Sequence, residues 1–266
     1  MQNKLLKIEK KNNWVNLLLN NQSKKNALDD ELIVELVQTL KLIDQDNSVR
    51  GVLLGSTSGV FCAGGDIKAM LNKTEMFQGG SIDLRRQYHQ GIQEIARAME
   101  AFRKPIMAVV NGPAVGAGAD LAFMCDLRIA SVEASFAETF SNLALVPGDG
   151  GTFFLTRAIG YAKAMELYLT ARTINADEAE KLELINWKTT VEGLWPTAEK
   201  IMDQITKKPP VAIEMTKQAL KEAYGNRNLE SNLNLLSSFQ AITQMSNDHQ
   251  RGLRKLKNGD EIFEGN

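Results

Sequence analysis

The chain has 266 residues, and 31 Lys and Arg stand against 32 Asp and Glu, so its formal net charge is −1 at pH 7. This balance lacks the basic footprint of a nucleic-acid-binding protein, while 44% hydrophobic and 24% charged residues are typical of a globular chain with a sizeable core. Two cysteines and two histidines are too few for a disulfide framework or a His-rich metal site, so we expect neither.

The N-terminal segment contains no uninterrupted apolar run of signal-peptide length, and no stretch approaches the roughly 18 apolar residues of a membrane span. We therefore expect a cytoplasmic protein without a membrane partner. The first predicted elements are two short strands, Leu5–Glu9 and Trp14–Leu19, joined by the polar KKNN. An amphipathic helix follows, with Asp29 or Asp30 as its cap. Its apolar positions recur at helical spacing: Leu32, Leu36, Leu40 and Ile43.

A strand–helix–strand unit comes next. Val52–Leu54 is predicted as a buried strand that leads into the glycine-rich turn STSGVFCAGGDIKAML, whose end indicates a short helix. One long helix over residues 83–102 follows, Pro105 ends it, and residues 106–110 form the next buried strand. This pattern predicts parallel pairing with a right-handed crossover.

The unit then repeats in outline. A second glycine-rich turn, NGPAVGAGAD, opens a helix through Met124, and short strands are predicted at residues 127–130 and near Phe136. After Gly160 the sequence is predicted to be helical almost to the end. We therefore expect an α/β core over residues 1–190 and a helical C-terminal region over residues 191–266, which must pack on the core or on a neighbouring subunit.

The two glycine turns share one design. FCAGGDIKAM (61–70) and NGPAVGAGADLAFMCD (111–126) each follow a buried strand, contain small residues and open a helix. Such turns let the backbone approach a ligand and direct free N–H groups towards a phosphate or a developing oxyanion. Neither turn is GxGxxG or a P-loop, which disfavours a Rossmann-type oxidoreductase. The alternative is that small residues only permit tight helix–strand packing.

Four segments, in this order and spacing, resemble the crotonase family (enoyl-CoA hydratase/isomerase superfamily): FCAGGDIKAM, NGPAVGAGADLAFMCDLRIAS, SFAETFSNLALVPGDGGTFFLTRAIG and AKAMELYLTARTINADEAEKLELIN. The resemblance implies an α/β, crotonase-like spiral of ββα units with a helical C-terminal trimerisation region, assembled as a homotrimer or as a hexamer of two trimers. It also implies a coenzyme A thioester substrate and no further cofactor or metal. The positions that match the family's oxyanion hole are Gly65 and Ala117.

The carboxylate positions decide the reaction. The resemblance places Asp120 where hydratases carry their first glutamate, and it places Phe140, which cannot exchange a proton, at the second. Asp149, in the PGDGG loop, is our candidate for the compensating acid or base, although it could instead only cap the helix that follows. Glu138 is a reserve candidate.

The coenzyme A handle is expected to lie along the segment 24–28 and the first glycine turn. By resemblance the binding residues are Lys24, Lys25, Ala27, Leu28, Ala63, Asp66 and Ile67. We expect an enoyl-CoA hydratase or isomerase that stabilises a thioester enolate. The alternatives are a thioester hydrolase of the same fold and a non-catalytic acyl-CoA-binding protein, because the second hydratase glutamate is missing.

Overall fold

The computed structural model describes residues 5–225, 228–259 and 262–266, and two sheets organise this part of the chain. The strands are β1 (Leu6–Lys10), β2 (Val15–Leu19), β3 (Val52–Ser56), β4 (Ile106–Val110), β5 (Pro113–Val115), β6 (Leu127–Ser131), β7 (Ser135–Ala137), β8 (Thr173–Asn175) and β9 (Trp187–Thr189). One sheet has the order β1-β2-β3-β4-β6-β9 and the other β5-β7-β8. Only β1–β2 and β7–β8 pair antiparallel among these, so the predicted parallel arrangement is confirmed.

Helices connect these strands and form the C-terminal region. They are α1 (Asp30–Gln45), α2 (Ile67–Asn72), α3 (Ser81–Gln90), α4 (Gln93–Ala101), α5 (Ala117–Phe123), α6 (Gly151–Ile159), α7 (Tyr161–Thr170), α8 (Ala176–Lys181), α9 (Leu194–Thr206), α10 (Pro210–Gly225), α11 (Leu229–Gln244) and α12 (Asn247–Asn258). Asp29 is the cap of α1, because its side chain accepts from the Leu32 N–H at 2.9 Å. Among the described residues, no helix is both long and apolar enough to cross a membrane.

The main sheet is buried on both faces. Alternate side chains of its central strands point to opposite sides, so Leu54 joins the large core while Leu53 packs in a second cluster with α9. Gly55 makes room for this helix, since a Cβ there would lie 2.7 Å from the Trp195 ring. The division predicted at residue 190 stays a prediction, and α9, which follows it, packs on the sheet of the preceding core.

The prediction of one helix over residues 83–102 was wrong. The structure has two helices, α3 and α4, separated at Gly91, whose φ of −109° and ψ of −108° are not helical. A Cβ at Gly91 would lie 2.6 Å from the Gln87 carbonyl oxygen, so glycine permits this sharp break. The apolar repeat continues across the break, which is why periodicity alone predicted a single helix.

The prediction of helix almost throughout after Gly160 was also wrong. Strand β8 pairs with β7, and β9 extends the edge of the main sheet beside β6. Each of these strands has three residues. A strand this short shows no measurable alternation of apolar and polar residues, so only its tertiary pairing identifies it.

Candidate active site

The two predicted glycine turns lie directly against each other. Cys62 and Ala114 form a parallel bridge, and the Val115 N–H donates to the Cys62 carbonyl at 3.0 Å. Gly64 has a φ of +84°, and a Cβ there would overlap the Val115 carbonyl oxygen. A Cβ on Gly118 would likewise overlap Cys62. The small residues are therefore required for close packing, and the same packing brings the two turns to one place.

A small cavity of ≈ 50 Å³ lies between the turns. Gly65 and Ala117 line it, and Ala117 is the first residue of α5, so its N–H has no acceptor within the helix. Among the described residues, neither the Gly65 N–H nor the Ala117 N–H donates a backbone hydrogen bond in a turn, loop or cap. Asp149 is the one Asp or Glu among the described residues that line the cavity.

A larger pocket of ≈ 920 Å³ continues from this cavity. Most of its wall comes from α2, α3 and the segment 143–148, and it is mainly apolar. Tyr88 and Phe77 line both spaces, and their rings pack edge to face with centroids 6.4 Å apart. The arrangement provides a narrow inner space beside Asp149 and a wide apolar space outside it.

Three carboxylic side chains meet behind the cavity, and we call Asp120, Glu138 and Asp149 the acid cluster. Each is at most 2% exposed. Gly151 is required here, because a Cβ on it would overlap the Asp120 carboxyl group. The Tyr168 hydroxyl donates to Asp120 Oδ1 at 3.1 Å, and the Gly151 N–H donates to Asp149 Oδ1 at 3.2 Å.

Burial changes the proton affinity of all three acids. The loss of hydration, together with the charge of Asp149, raises the pKa of Asp120 and of Glu138 well above the ordinary values. Burial raises the pKa of Asp149 as well, but hydrogen bonds from Asp120 and the Gly151 N–H oppose this rise. Asp149 is also the member of the acid cluster that lines the cavity.

Phe140 stands at the position that the resemblance assigns to the second hydratase glutamate. The Phe140 ring lines the cavity and packs near the Tyr168 ring, with centroids 6.5 Å apart. Glu138, the reserve candidate, is buried with the acid cluster and is not among the described residues that line the cavity. No set of three or more His, Cys, Asp or Glu in the described ranges is arranged to hold a metal ion.

Comparison with known proteins gives the family. The model of the family described as "Enoyl-CoA hydratase/isomerase" matches residues 9–266. The chain belongs to the enoyl-CoA hydratase/isomerase family. Its similarity to a protein named "Probable enoyl-CoA hydratase, mitochondrial" from Dictyostelium discoideum is 38% identity over 216 residues, 81% of this chain and 75% of the relative. The chain is therefore an enoyl-CoA hydratase/isomerase enzyme.

Two further relatives show both chemistries and the fold. A protein named "1,2-epoxyphenylacetyl-CoA isomerase" from Escherichia coli K12 is 32% identical over 237 residues, 89% of each chain. The crystal structure of an enoyl-CoA hydratase from Bacillus anthracis has a TM-score of 0.90 at 28% identity, and the match covers 99% of this chain and 100% of that one. The predicted crotonase-like α/β fold is confirmed.

The segment predicted to hold coenzyme A in this enoyl-CoA hydratase/isomerase family enzyme lies beside the first glycine turn. Ala27 and Leu28 are buried, and the Leu28 N–H donates to the Gly64 carbonyl at 2.7 Å. The Ala63 N–H donates to the Lys25 carbonyl at 3.1 Å. Ala63 and Ile67 line the inner cavity, and Ile67 is 47% exposed.

Lys24 already has partners. Its ammonium group lies 2.8 Å from Asp29, 3.1 Å from Asp66 and 3.5 Å from Glu75, and we call these four residues the lysine cluster. The hydrogen bond with Asp29 is the largest of the effects that raise the pKa of Lys24. Asp66 also caps α2 by accepting from the N–H groups of its first turn. The charge of Lys24 is thus balanced within the protein.

Sequence reasoning missed two tyrosines of the site. Tyr168 lies on α7, where an aromatic residue at helical spacing is typical of a core position, and nothing in its neighbourhood along the chain indicates a carboxyl partner 48 residues away. Tyr88 lies within the segment 83–102, where the sequence predicts a single long helix and nothing indicates a place in the site. Because α3 ends at Gly91 and packs over the cavity, the Tyr88 side chain lines the cavity.

Proposed function

We propose that this enzyme isomerises a carbon–carbon double bond in an enoyl-CoA by moving a proton between two carbons, with Asp149 as the group that carries it. The observation that supports this most is the place of Asp149 on the cavity between Gly65 and Ala117. A carboxyl group above one face of a bound acyl chain can remove a proton and return it elsewhere.

The two free N–H groups are proposed to bind the thioester oxygen. When a C–H bond at the α-carbon breaks, its proton goes to Asp149, and its electron pair moves towards the thioester oxygen to form an enolate. Fixed donors such as the Gly65 and Ala117 N–H groups stabilise this charge, and each donor of this kind contributes about 3–4 kcal/mol in comparable sites. Return of the proton to the γ-carbon places the double bond in conjugation with the thioester.

Addition of water is the second candidate. Asp120 lies within hydrogen-bond reach of Asp149, so the pair could offer one base and one acid. A relative from Clostridium acetobutylicum, 33% identical over 88% of this chain, is named "Short-chain-enoyl-CoA hydratase". Against hydration, Phe140 occupies the place of the second predicted acid, and Asp120 lies behind Asp149. A thioester hydrolase and a non-catalytic binding protein have less support, because Asp149 faces the cavity in a position suited to proton transfer at carbon.

The substrate handle is proposed to be coenzyme A, with the acyl chain in the larger apolar pocket. The segment 24–28 and the first glycine turn would border the nucleotide part. Because the Lys24 charge is already balanced by three carboxylates, Lys25 is the better candidate for a phosphate contact. Its side chain is exposed, and the structure shows no ion pair for it within the described residues.

A trimer or a hexamer is proposed as the assembly. Helices α10 and α11 carry apolar side chains that the described part of the monomer leaves at least 38% exposed. These side chains include Leu220, Tyr224, Leu229, Leu233, Leu236 and Ile242.

A cytoplasmic location is proposed as well, since both cysteines are buried and free.

Two measurements test this function. Coenzyme A esters should raise the melting temperature by mass action, whereas the free acids should not. A 3-enoyl-CoA should then be converted to the conjugated 2-enoyl-CoA, which is followed by the absorbance of the conjugated thioester. Equal stabilisation by NADH and acetyl-CoA, or hydrolysis to free coenzyme A as the only reaction, would contradict the proposal.

A further inference from the structure

The acid cluster contains buried carboxyl oxygens for which the described residues offer no hydrogen-bond donor. Asp120 Oδ2, Asp149 Oδ2 and both Glu138 carboxyl oxygens are buried with no donor in the described part of the chain. Asp120 lies within hydrogen-bond reach of Asp149 and of Glu138. Two carboxylates cannot hydrogen-bond to each other without a proton between them. The chain Glu138–Asp120–Asp149 therefore requires two protons, which leaves one negative charge on three carboxyl groups.

The surroundings of the acid cluster support this count. The titratable groups that act on it from neighbouring elements are Tyr168 on α7, which interacts with all three acids, and Tyr88 on α3, which interacts with Asp149. No Lys, Arg or His among the described residues is one of the charges that act on the three carboxyls. An unpaired buried charge is costly, and three in one place would be more so.

Tyr168 places a fixed hydrogen-bond donor, its hydroxyl group, against Asp120. Its hydroxyl donates to Asp120 Oδ1 at 3.1 Å, and its ring is held beside the Phe140 ring. The tyrosine is itself held as a neutral donor, because burial and the charges of the acid cluster raise its pKa. A fixed donor at this end stabilises a negative charge on the Asp120–Asp149 pair without supplying a cation.

We propose that Tyr168 and Glu138 are positioning residues that keep two protons and one negative charge in the acid cluster, so that one member of the Asp120–Asp149 pair can accept a proton while the other can donate one. Glu138 holds one proton at the closed end, and Tyr168 stabilises the charge on the pair. This inference rests on the proposed function for its catalytic consequence, but the number of protons in the acid cluster does not depend on the substrate.

The first test is the pH profile of kcat/KM for Tyr168→Phe, with 3-enoyl-CoA as substrate. The active form needs a carboxylate, and Tyr168 favours that form, so loss of the hydroxyl raises the pKa of the pair. The acid limb should move to higher pH by about one unit. Tyr161→Phe is the matched control, since it makes the same change at an exposed tyrosine of the same helix, and its acid limb should not move. An unmoved limb in Tyr168→Phe would overturn the role of this hydroxyl.

The second test needs no turnover. Infrared spectra of the unliganded enzyme at pH 7 should show the carbonyl stretch of two protonated carboxyl groups, shifted in heavy water. Glu138→Gln should lose one of these bands, whereas Glu133→Gln, at an exposed acid, should lose none. A wild-type spectrum without protonated carboxyl bands at pH 7 would overturn the inference even if the enzyme isomerises enoyl-CoAs. Two bands in an enzyme that turns over no enoyl-CoA would instead contradict only the proposed function.

Discussion

The lysine cluster and the acid cluster each contain three carboxyls, and they differ in what surrounds them. The lysine cluster has a central ammonium group and partial access to water. The acid cluster has no cation acting on it among the described residues and is almost completely buried. Hydrogen bonds from backbone amides and Lys24 hold the pKa of Asp66 below its ordinary value in spite of burial, whereas burial raises the pKa of Asp120 well above it.

The comparison teaches that residue type alone does not assign chemistry here. The three carboxylates of the lysine cluster all pair with the Lys24 ammonium group and serve as structural links. The carboxyls of the acid cluster lie beside one another, and burial raises the pKa of each above its ordinary value, which favours proton transfer to and from carbon. The cavity opens onto the acid cluster through Asp149, and this places the chemistry on that side of the turn.

The largest expected effect is that of Asp149→Asn. The amide keeps the acceptor for the Gly151 N–H but cannot take a proton, so kcat should fall by about 10²–10⁴-fold. Binding of a coenzyme A ester, measured by calorimetry, should change little. Asp203→Asn, at a surface acid of α9, is the control and should leave kcat unchanged. Unchanged turnover in Asp149→Asn would reduce Asp149 to a contact at the helix start and would move the chemistry to Asp120 or Glu138.

The next largest effect is expected for Gly151→Ala, which disturbs the acid cluster by steric overlap and leaves its three carboxyl groups in the sequence. The new Cβ would overlap the Asp120 carboxyl, and overpacking of this kind costs about 1–3 kcal/mol. Chemical denaturation should show this loss, and kcat should fall with it because Asp120 is displaced from Asp149. Gly59→Ala is the matched control, since nothing lies within 4 Å of a Cβ there. Equal unfolding free energies for the two variants would argue against the tight packing described here.

A smaller effect, with a defined pH dependence, is expected for Glu138→Gln. In the unfolded chain Glu138 ionises at its ordinary pKa, but in the folded protein burial keeps it protonated to higher pH. The folded state therefore binds more protons above the ordinary pKa, and wild-type stability falls as pH rises. Glutamine removes this loss. The free energy of unfolding of the variant relative to wild type should therefore increase from pH 5 to pH 8. A difference that is constant with pH would count against a neutral Glu138.

The smallest effect is that of Lys24→Met in the lysine cluster. The ammonium group is partly exposed and screened by water, so the loss in unfolding free energy should not exceed about 1 kcal/mol. High salt should narrow the gap to wild type, because salt already weakens these ion pairs. Lys25→Met, the neighbouring control, should leave stability unchanged but weaken coenzyme A binding. A loss of several kcal/mol in the unfolding free energy of Lys24→Met would contradict this expectation. It would show that the carboxyls of the lysine cluster differ less from those of the acid cluster than their burial indicates.

The parts of the fold and site that could be predicted are those whose signals are local. The cap and apolar repeat of α1 lie within a few residues of each other, and Gly64 and Gly118 are dictated by the close approach of the two turns. Four linked motifs placed Asp120, Asp149 and Phe140 in one site, and the structure brings them together. Their catalytic roles stay predictions until the variants are measured.

The parts that could not be predicted depend on distant contacts. Tyr168 meets Asp120 across 48 residues, and Glu75 reaches Lys24 from a separate turn of the chain. The resemblance therefore assigned both Lys24 and Lys25 to coenzyme A binding, with no sign that the charge of Lys24 is balanced by three acids. Gly91 ends α3 within a continuous apolar repeat, which periodicity cannot detect.

The most direct test of the central claim, that the one cavity-facing carboxyl carries a proton between carbons, is mass spectrometry of enoyl-CoAs incubated with the enzyme in heavy water. Proton transfer through Asp149 predicts that the double bond moves, that deuterium enters the acyl chain without the added mass of water, and that Asp149→Asn abolishes both changes. Product carrying the mass of a water molecule, or deuterium uptake that persists in Asp149→Asn, would contradict this account.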